Sequence, residues 1–320
     1  MRPSYRSTLA LVAGVLACGA AACSSSEKEA AGPEPEAVSL LGRPLHPRPI
    51  PDDARKQLEE KLAVAQAAYE RTPNDADSII WLGRRLAYLE RYRDAIRVFS
   101  EGIEKHPEDS RLYRHRGHRY VTVRELDKAI ADLDRAVELV RGRPDSLEED
   151  GAPNKMNIPT STQQGNIWYH LALAHYLKHD FEKALAGWKQ AMAISTNDDT
   201  RVAVADWLYM TYRRMGRDAE AKQVLAGIPS KMNVIENTAY HRRLLMYKGE
   251  IPPDSLLDEK SGDDLQFVTQ GYGVGNWYLY NGQREKARAV FERIAESGYW
   301  AAFGYIAAEA ELKAWNQKGT

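Results

Sequence analysis

Histidine offers the widest choice of chemistry near neutral pH in this sequence. His115 and His118 are three residues apart, and His170 follows in a later segment of similar pattern. On a helix, the first spacing places two imidazoles on one face, where they can bind a transition metal or act as general bases. One interpretation is therefore a metal-binding or enzymatic site built on these three residues. No paired carboxylate stands beside them to orient or acidify a substrate, and this counts against catalysis.

The remaining chemical motifs are weak. His175 and His179 also share a helix face, but a packing position and a turn position explain them. The glycine-rich residues 271–275 have no preceding strand and therefore do not predict a phosphate loop. A CxxC zinc pair, a P-loop and a GxSxG motif are absent from the sequence. We therefore expect a protein that is not an enzyme and that uses no cofactor and no metal.

Small and apolar residues recur every 34 positions in the region that carries these histidines. The first copy is Leu82-Gly83, Ala95-Ile96 and Phe99, and the second is Arg116-Gly117, Ala129-Ile130 and Leu133. A small residue at a fixed place allows two helices to cross closely, while a large apolar residue fills the space between them. A period of this length predicts helix–turn–helix units that stack along one axis.

This pattern resembles the tetratricopeptide repeat over about residues 76–301. The resemblance implies an all-α fold, a right-handed solenoid of stacked helix pairs over 53–316. It places repeats at about 76–109, 110–143, 165–198, 202–235 and 268–301, with degenerate units at 54–74 and 236–262. A final helix near 300–315 would cover the exposed apolar end of the array. No stretch of the sequence predicts a credible strand.

An insertion at about residues 142–164 interrupts the period between the second and third repeats. It is acidic at Glu148-Glu149-Asp150 and contains several prolines. Loops of this length are functional or disordered. Two interpretations stay open: a mobile acidic surface loop, or a flap that folds over the groove and gates it or mimics a ligand.

The resemblance also implies a binding groove, because the first helix of each pair lines the concave face in this family. The residues at the groove positions are rich in aromatic and basic side chains, which carry much of the binding energy in protein interfaces. They are Trp81, Arg84, Tyr88, Arg111, Arg114, His115, His118, Tyr169, His170, Trp207 and Arg214. Trp168 and Trp188 fall at packing positions, and we expect them in the core.

The N-terminus resembles a bacterial lipoprotein signal. Arg2 and Arg6 precede an apolar stretch that is too short to span a bilayer, so residues 1–22 are expected to be removed. Cys23 follows three alanines and precedes a Ser-, Glu- and Pro-rich tract, which favours it as the palmitate-bearing residue. Cys18 is the alternative, and a plain secretory signal would give a soluble secreted or periplasmic protein. We expect residues 23–52 to be a disordered linker.

The net charge of −1 argues against nucleic acid as the main partner, since phosphate binding needs a basic excess. The sequence therefore predicts a non-catalytic scaffold, lipid-anchored at the bacterial cell envelope, that holds a protein or peptide partner in its groove. A glycan- or peptidoglycan-binding protein is the alternative, because rows of tryptophan and tyrosine also stack on sugars. The oligomeric state stays open.

Overall fold

The computed structural model describes residues 34–257 and 264–318, and these residues are mostly helical. A short hairpin, β1 (Ala37–Val38) and β2 (Pro44–Leu45), precedes the helices. The first helices are α1 (Asp52–Arg71), α2 (Ala76–Tyr88), α3 (Tyr92–Lys105), α4 (Ser110–Thr122), α5 (Leu126–Val140), α6 (Gln163–Leu177) and α7 (Phe181–Ala193). They are followed by α8 (Asp198–Arg214), α9 (Asp218–Ala226), α10 (Thr238–Tyr247), a 3₁₀ turn (Pro253–Leu256), α11 (Asp264–Tyr280), α12 (Arg284–Glu296) and α13 (Phe303–Lys318). The predicted all-α fold, a series of helix pairs packed one after another, is confirmed.

Each helix pair is held by the small residues that set the period. A side chain on Gly83 would collide with the Phe99 ring, so the glycine allows α2 and α3 to cross closely. Ala95 and Ala129 are fully buried between their helices. The carboxylate of Asp75 accepts a hydrogen bond from the Ser78 N–H at 2.8 Å and caps α2. The 34-residue spacing of small residues therefore indicates where the two helices of each pair pack closely.

The turns inside the pairs adopt a left-handed backbone at one position. Gly216 and Gly282 occupy it in the later pairs, with φ of 70° and 80°. In the earlier pairs the same position holds Glu90, Arg124 and His179, with φ of 59°, 66° and 60°. Non-glycine residues adopt this conformation at a cost in free energy. The side chains of Glu90 and Arg124 make compensating contacts with distant segments.

The segment that precedes α1 is structured, which corrects the predicted disordered linker for residues 35–51. Ala37 and Leu45 are buried in the main core. The Arg48 N–H donates to the Glu90 carboxylate at 2.7 Å, and the Trp300 indole N–H donates to the His46 carbonyl at 2.7 Å. Closely spaced prolines gave this segment a composition typical of disorder, but its apolar side chains are enough to anchor it. The expectation of no strand is likewise wrong for β1 and β2.

Helix α13 does more than cover the end of the array. It packs against α11 and α12, and it also reaches α6. Phe303 at its start lies 5.4 Å from the His118 ring and 5.6 Å from the His170 ring, measured between centroids. Residues 304–312 are all buried. The C-terminal helix therefore contacts the first helices of the second and third repeats.

Candidate functional site

The acidic insertion folds over the face made by the first helices of the early pairs, α2, α4 and α6; we call it the A-helix face. The Arg84 guanidinium donates to the Glu149 carbonyl, and that of Arg85 to the Gly151 carbonyl, both at 2.7 Å. Arg114 pairs with the Glu148 carboxylate at 2.9 Å. Of the two interpretations of the insertion, the flap over the groove matches these contacts, although most side chains of the insertion face solvent.

Both ends of the flap are fixed. At its base Leu147 pairs with Thr162, and the Glu148 N–H donates to the Ser161 carbonyl at 3.0 Å. Its far side is held by Glu236, whose carboxylate accepts hydrogen bonds from Thr160 and from Asn154. The flap therefore bridges the first repeats to the segment before α10.

A cavity of about 290 Å³ lies between the flap and the A-helix face. Six predicted groove residues line it: Arg84, Tyr88, Arg114, His115, His118 and His170. The flap contributes Glu148, Asp150 and Gly151, and a side chain on Gly151 would overlap the Tyr88 ring. Six of the groove positions implied by the repeat pattern thus converge on one partly open, positively charged space.

The cavity histidines are neutral. Burial lowers the pKa values of His115, His118 and His170 well below the usual range, and the nearby charge of Arg114 lowers them further. The Arg114 guanidinium donates to His115 Nδ1 at 2.9 Å, and His170 Nδ1 lies 2.6 Å from the Asn166 carbonyl. These histidines act as packing and hydrogen-bonding groups.

The structure does not support the metal alternative. His118 and His170 do come together, with ring centroids 4.2 Å apart, but His115 instead stacks on Phe99 at 5.6 Å. Within residues 34–257 and 264–318, no group of three or more histidine, cysteine or acidic side chains is arranged to hold a metal ion.

The flat rings at the sixth position of the first four repeats do not form one surface; they belong to Trp81, His115, His170 and Trp207. Trp207 is only 1% exposed and is stacked between Trp188 and Tyr272, with centroids 5.9 and 5.6 Å away. Trp81 is half-buried near α1, with the Arg84 guanidinium 4.4 Å from its ring. Trp207 is therefore a core residue, which corrects its assignment to the groove and removes the basis for sugar stacking along this row.

Three other predicted groove residues also lie away from the cavity. Arg214 pairs with Glu311 of α13, so the protein's own helix occupies its guanidinium. Arg111 pairs with Asp77 and Asp109 at the outer edge, each at 2.6 Å. Tyr169 lines a neighbouring cavity of about 260 Å³ and accepts a hydrogen bond from Trp207. Of the two expected core tryptophans, Trp188 is fully buried and Trp168 is partly buried.

Sequence reasoning missed Arg85 and Arg119. Arg119 lines the main cavity and follows His115 by four residues on α4, so the helical period places both on one face. That period was the available signal, but the repeat pattern assigns no groove position to either residue.

The cysteines proposed for lipidation lie outside the described residues. Among the described helices, none is both long and apolar enough to cross a bilayer.

No protein-family model and no curated protein matches the sequence. Among solved structures, the chain is similar to YrrB, described as a TPR protein with an unusual peptide-binding site. The TM-score is 0.42 and the identity 16%, over 80% of this chain and 98% of that one. It is also similar to MamA AMB-1, with a TM-score of 0.40 and 16% identity, over 54% of this chain and 88% of that one. A third is Naa15/Naa10 bound to HypK-THB, with a TM-score of 0.36 and 14% identity, over 83% and 40% of the two chains.

Proposed function

We propose that this protein is a non-catalytic scaffold that binds an acidic, extended segment of a partner protein on its A-helix face. The observation that carries the proposal is the way this face binds the flap. Arg84 and Arg85 donate to main-chain carbonyls of the flap, and Arg114 pairs with an acidic side chain. Main-chain contacts hold an extended chain of any sequence, while the ion pair selects for acidity.

The flap then acts as an intramolecular competitor for the partner. A tethered segment has an effective concentration on the order of millimolar, so a partner must bind well enough to displace it. A partner of higher negative charge, or one that makes additional contacts, meets this requirement. Arginine suits the task because its planar guanidinium binds carbonyls and carboxylates with several donors at once.

The base of the flap allows a direct test of this site. Because Leu147 and Thr162 form an isolated antiparallel bridge that brings the two ends of the flap together, a short Gly-Ser turn can replace residues 148–160 and join Leu147 to Ser161. A fluorescent peptide with the sequence of residues 145–152 is then titrated into this shortened protein and followed by anisotropy. We expect saturable binding to the shortened protein and at least tenfold weaker binding to the intact chain.

Two controls separate recognition from non-specific charge attraction. A peptide with lysine in place of Glu148, Glu149 and Asp150 should not bind. Arg85→Ala in the shortened protein should weaken binding severalfold, because it removes a main-chain contact, whereas Arg97→Ala on the exposed side of α3 should not. No binding of the acidic peptide to a folded shortened protein would overturn the proposal.

We further propose that a lipid on Cys23 anchors the scaffold at the bacterial cell envelope. The support is the run of three alanines before Cys23 and the Ser-, Glu- and Pro-rich tract after it. Acyl chains place a protein on a membrane without a spanning helix. Expression of the whole chain in a bacterium fed labelled palmitate should give a labelled membrane form that Cys23→Ser abolishes and Cys18→Ser retains. The reverse pattern would move the anchor to Cys18, and no label in either would exclude it.

A further inference from the structure

The cavity beneath the flap has more cationic groups than its own acids neutralise. Arg84, Arg114 and Arg119 face two carboxylates, Glu148 and Asp150. Glu148 already pairs with Arg114. Within the described ranges Arg119 has no carboxylate partner, and its guanidinium instead lies 5.4 Å from the centre of the Tyr92 ring. The flap therefore closes this space but leaves at least one charge without a partner.

Two polar atoms at this cavity are buried without a hydrogen-bond partner. Arg114 is 7% exposed, and its Nε–H donor is unpaired although its two other nitrogens are engaged. Asp150 Oδ2 on the opposite wall is likewise buried and unpaired. Such groups are costly in a folded protein unless something completes their hydrogen bonds. A ligand that completed these hydrogen bonds would carry an acceptor near Arg114 Nε and a donor near Asp150 Oδ2.

Electrostatics agree with a ligand of negative charge. Burial lowers the pKa of Arg119 to about 10, and the neighbouring Arg114 charge acts in the same direction, yet the group remains a cation at neutral pH. The three cavity histidines are neutral and therefore add no charge to the cavity. The volume of about 290 Å³ admits a small molecule while the flap stays closed.

We propose that this cavity binds a small carboxylate that also carries a hydroxyl or ammonium donor. Its carboxylate lies against Arg114 Nε and Arg119, and its donor faces Asp150 Oδ2. The flap covers the ligand and supplies one of its partners, so this site does not require the flap to leave. It is therefore a different site from the partner-peptide site, although both use Arg114, and a partner that displaces the flap would remove Asp150 from it.

The intact chain tests this site by calorimetry with three probes: L-malate, succinate and inorganic phosphate. Malate has a carboxylate and a hydroxyl, succinate lacks the hydroxyl, and phosphate is the competing anion class. We expect malate to bind at least about tenfold more tightly than succinate, because only malate completes the bond to Asp150. Asp150→Asn should reduce that preference. Binding of phosphate as tight as malate, or of none of the three, would overturn the proposal.

Substitutions locate the site. Arg119→Gln should weaken malate binding at least about tenfold, while Arg119→Lys should retain part of it because the charge stays. Arg97→Gln is the matched control, since Arg97 is exposed on α3, does not line the cavity and should leave malate binding unchanged. Circular dichroism verifies that each variant folds. Unchanged malate binding in folded Arg119→Gln would refute this site, whereas peptide capture by the flap-shortened protein should survive that substitution.

Discussion

Arg124 and Glu309 form a buried ion pair across 185 residues of sequence, with Arg124 Nε 3.0 Å from Glu309 Oε2. Arg124 lies at the left-handed turn position between α4 and α5, and Glu309 lies on α13. The guanidinium also donates to the Trp300 carbonyl at 2.7 Å. A turn position that favours glycine thus holds a charged residue that ties the second repeat to the C-terminal helix.

Loss of one member of this pair should destabilise the fold strongly. Glu309→Gln leaves the Arg124 charge buried and without a counterion, which costs about 3–5 kcal/mol of unfolding free energy. Urea denaturation followed by circular dichroism measures it. Arg97→Gln breaks only exposed pairs on α3 and should change stability by less than about 0.5 kcal/mol. Equal stability of the two variants would show that α13 does not depend on this contact.

Gly83 should tolerate no side chain. A Cβ on this residue would lie 2.5 Å from Phe99 Cζ, so Gly83→Ala forces α2 and α3 apart and should cost about 1–3 kcal/mol. Gly298→Ala is the matched control because a Cβ added there would have no neighbouring atom within 4 Å. Thermal unfolding should give a clearly lower melting temperature for the first variant alone. A similar melting temperature for both would contradict close packing at this crossing.

Trp81 and Trp207, the sixth residues of the repeats at 76–109 and 202–235, should behave differently when replaced. Trp207→Ala opens a cavity between Trp188 and Tyr272 and should cost about 3–5 kcal/mol of unfolding free energy. Trp81 is half-buried beside α1, so Trp81→Ala should cost much less. Urea denaturation of both variants compares them. Equal losses would mean that Trp207 is not the core residue described here.

The sequence predicted the packing of neighbouring helices, but it did not predict the contacts between distant repeats. The spacing of Gly83, Ala95 and Phe99 correctly predicted how neighbouring helices cross, because those contacts repeat with the sequence. The burial of Trp207 and the pairing of Arg214 depend on α11 and α13, which come from distant repeats. Contacts between distant repeats do not recur at the 34-residue period of the sequence. They are specified by single complementary residues such as Glu309 and Glu311.

The flap shows the same limit of sequence-based prediction. Its position and acidity were evident, and covering the groove was one of two interpretations. The choice between them rests on arginine contacts to main-chain carbonyls at Glu149 and Gly151, which no side-chain pattern reveals. Arg119 was missed for a related reason, since the repeat template assigns groove positions and carries no information on a loop that is specific to this chain.

Titration of Glu311 should make the stability of the docked α13 depend on pH. This α13 carboxylate is 2% exposed, and it lies against Arg214 and 3.3 Å from His179 Nε2. Burial alone would raise its pKa, but the Arg214 charge, with His179, outweighs burial and lowers the pKa to about 2. A carboxylate whose folded pKa lies below its unfolded value of 4.5 adds stability above pH 4.5. That stability is lost as the pH falls from about 4.5 to about 2.

The expected change in unfolding free energy follows from the difference between the folded and unfolded pKa values of Glu311. A difference of about 2.5 pKa units corresponds to about 3 kcal/mol of unfolding free energy. Because every other carboxylate also titrates in acid, the measurement is the difference between the native chain and Glu311→Gln, taken from urea denaturation at several pH values. The native chain should be more stable at pH 6, and the gap should shrink by about 3 kcal/mol toward pH 2. Parallel curves for the two proteins would show that the Arg214–Glu311 contact does not stabilise the docked α13.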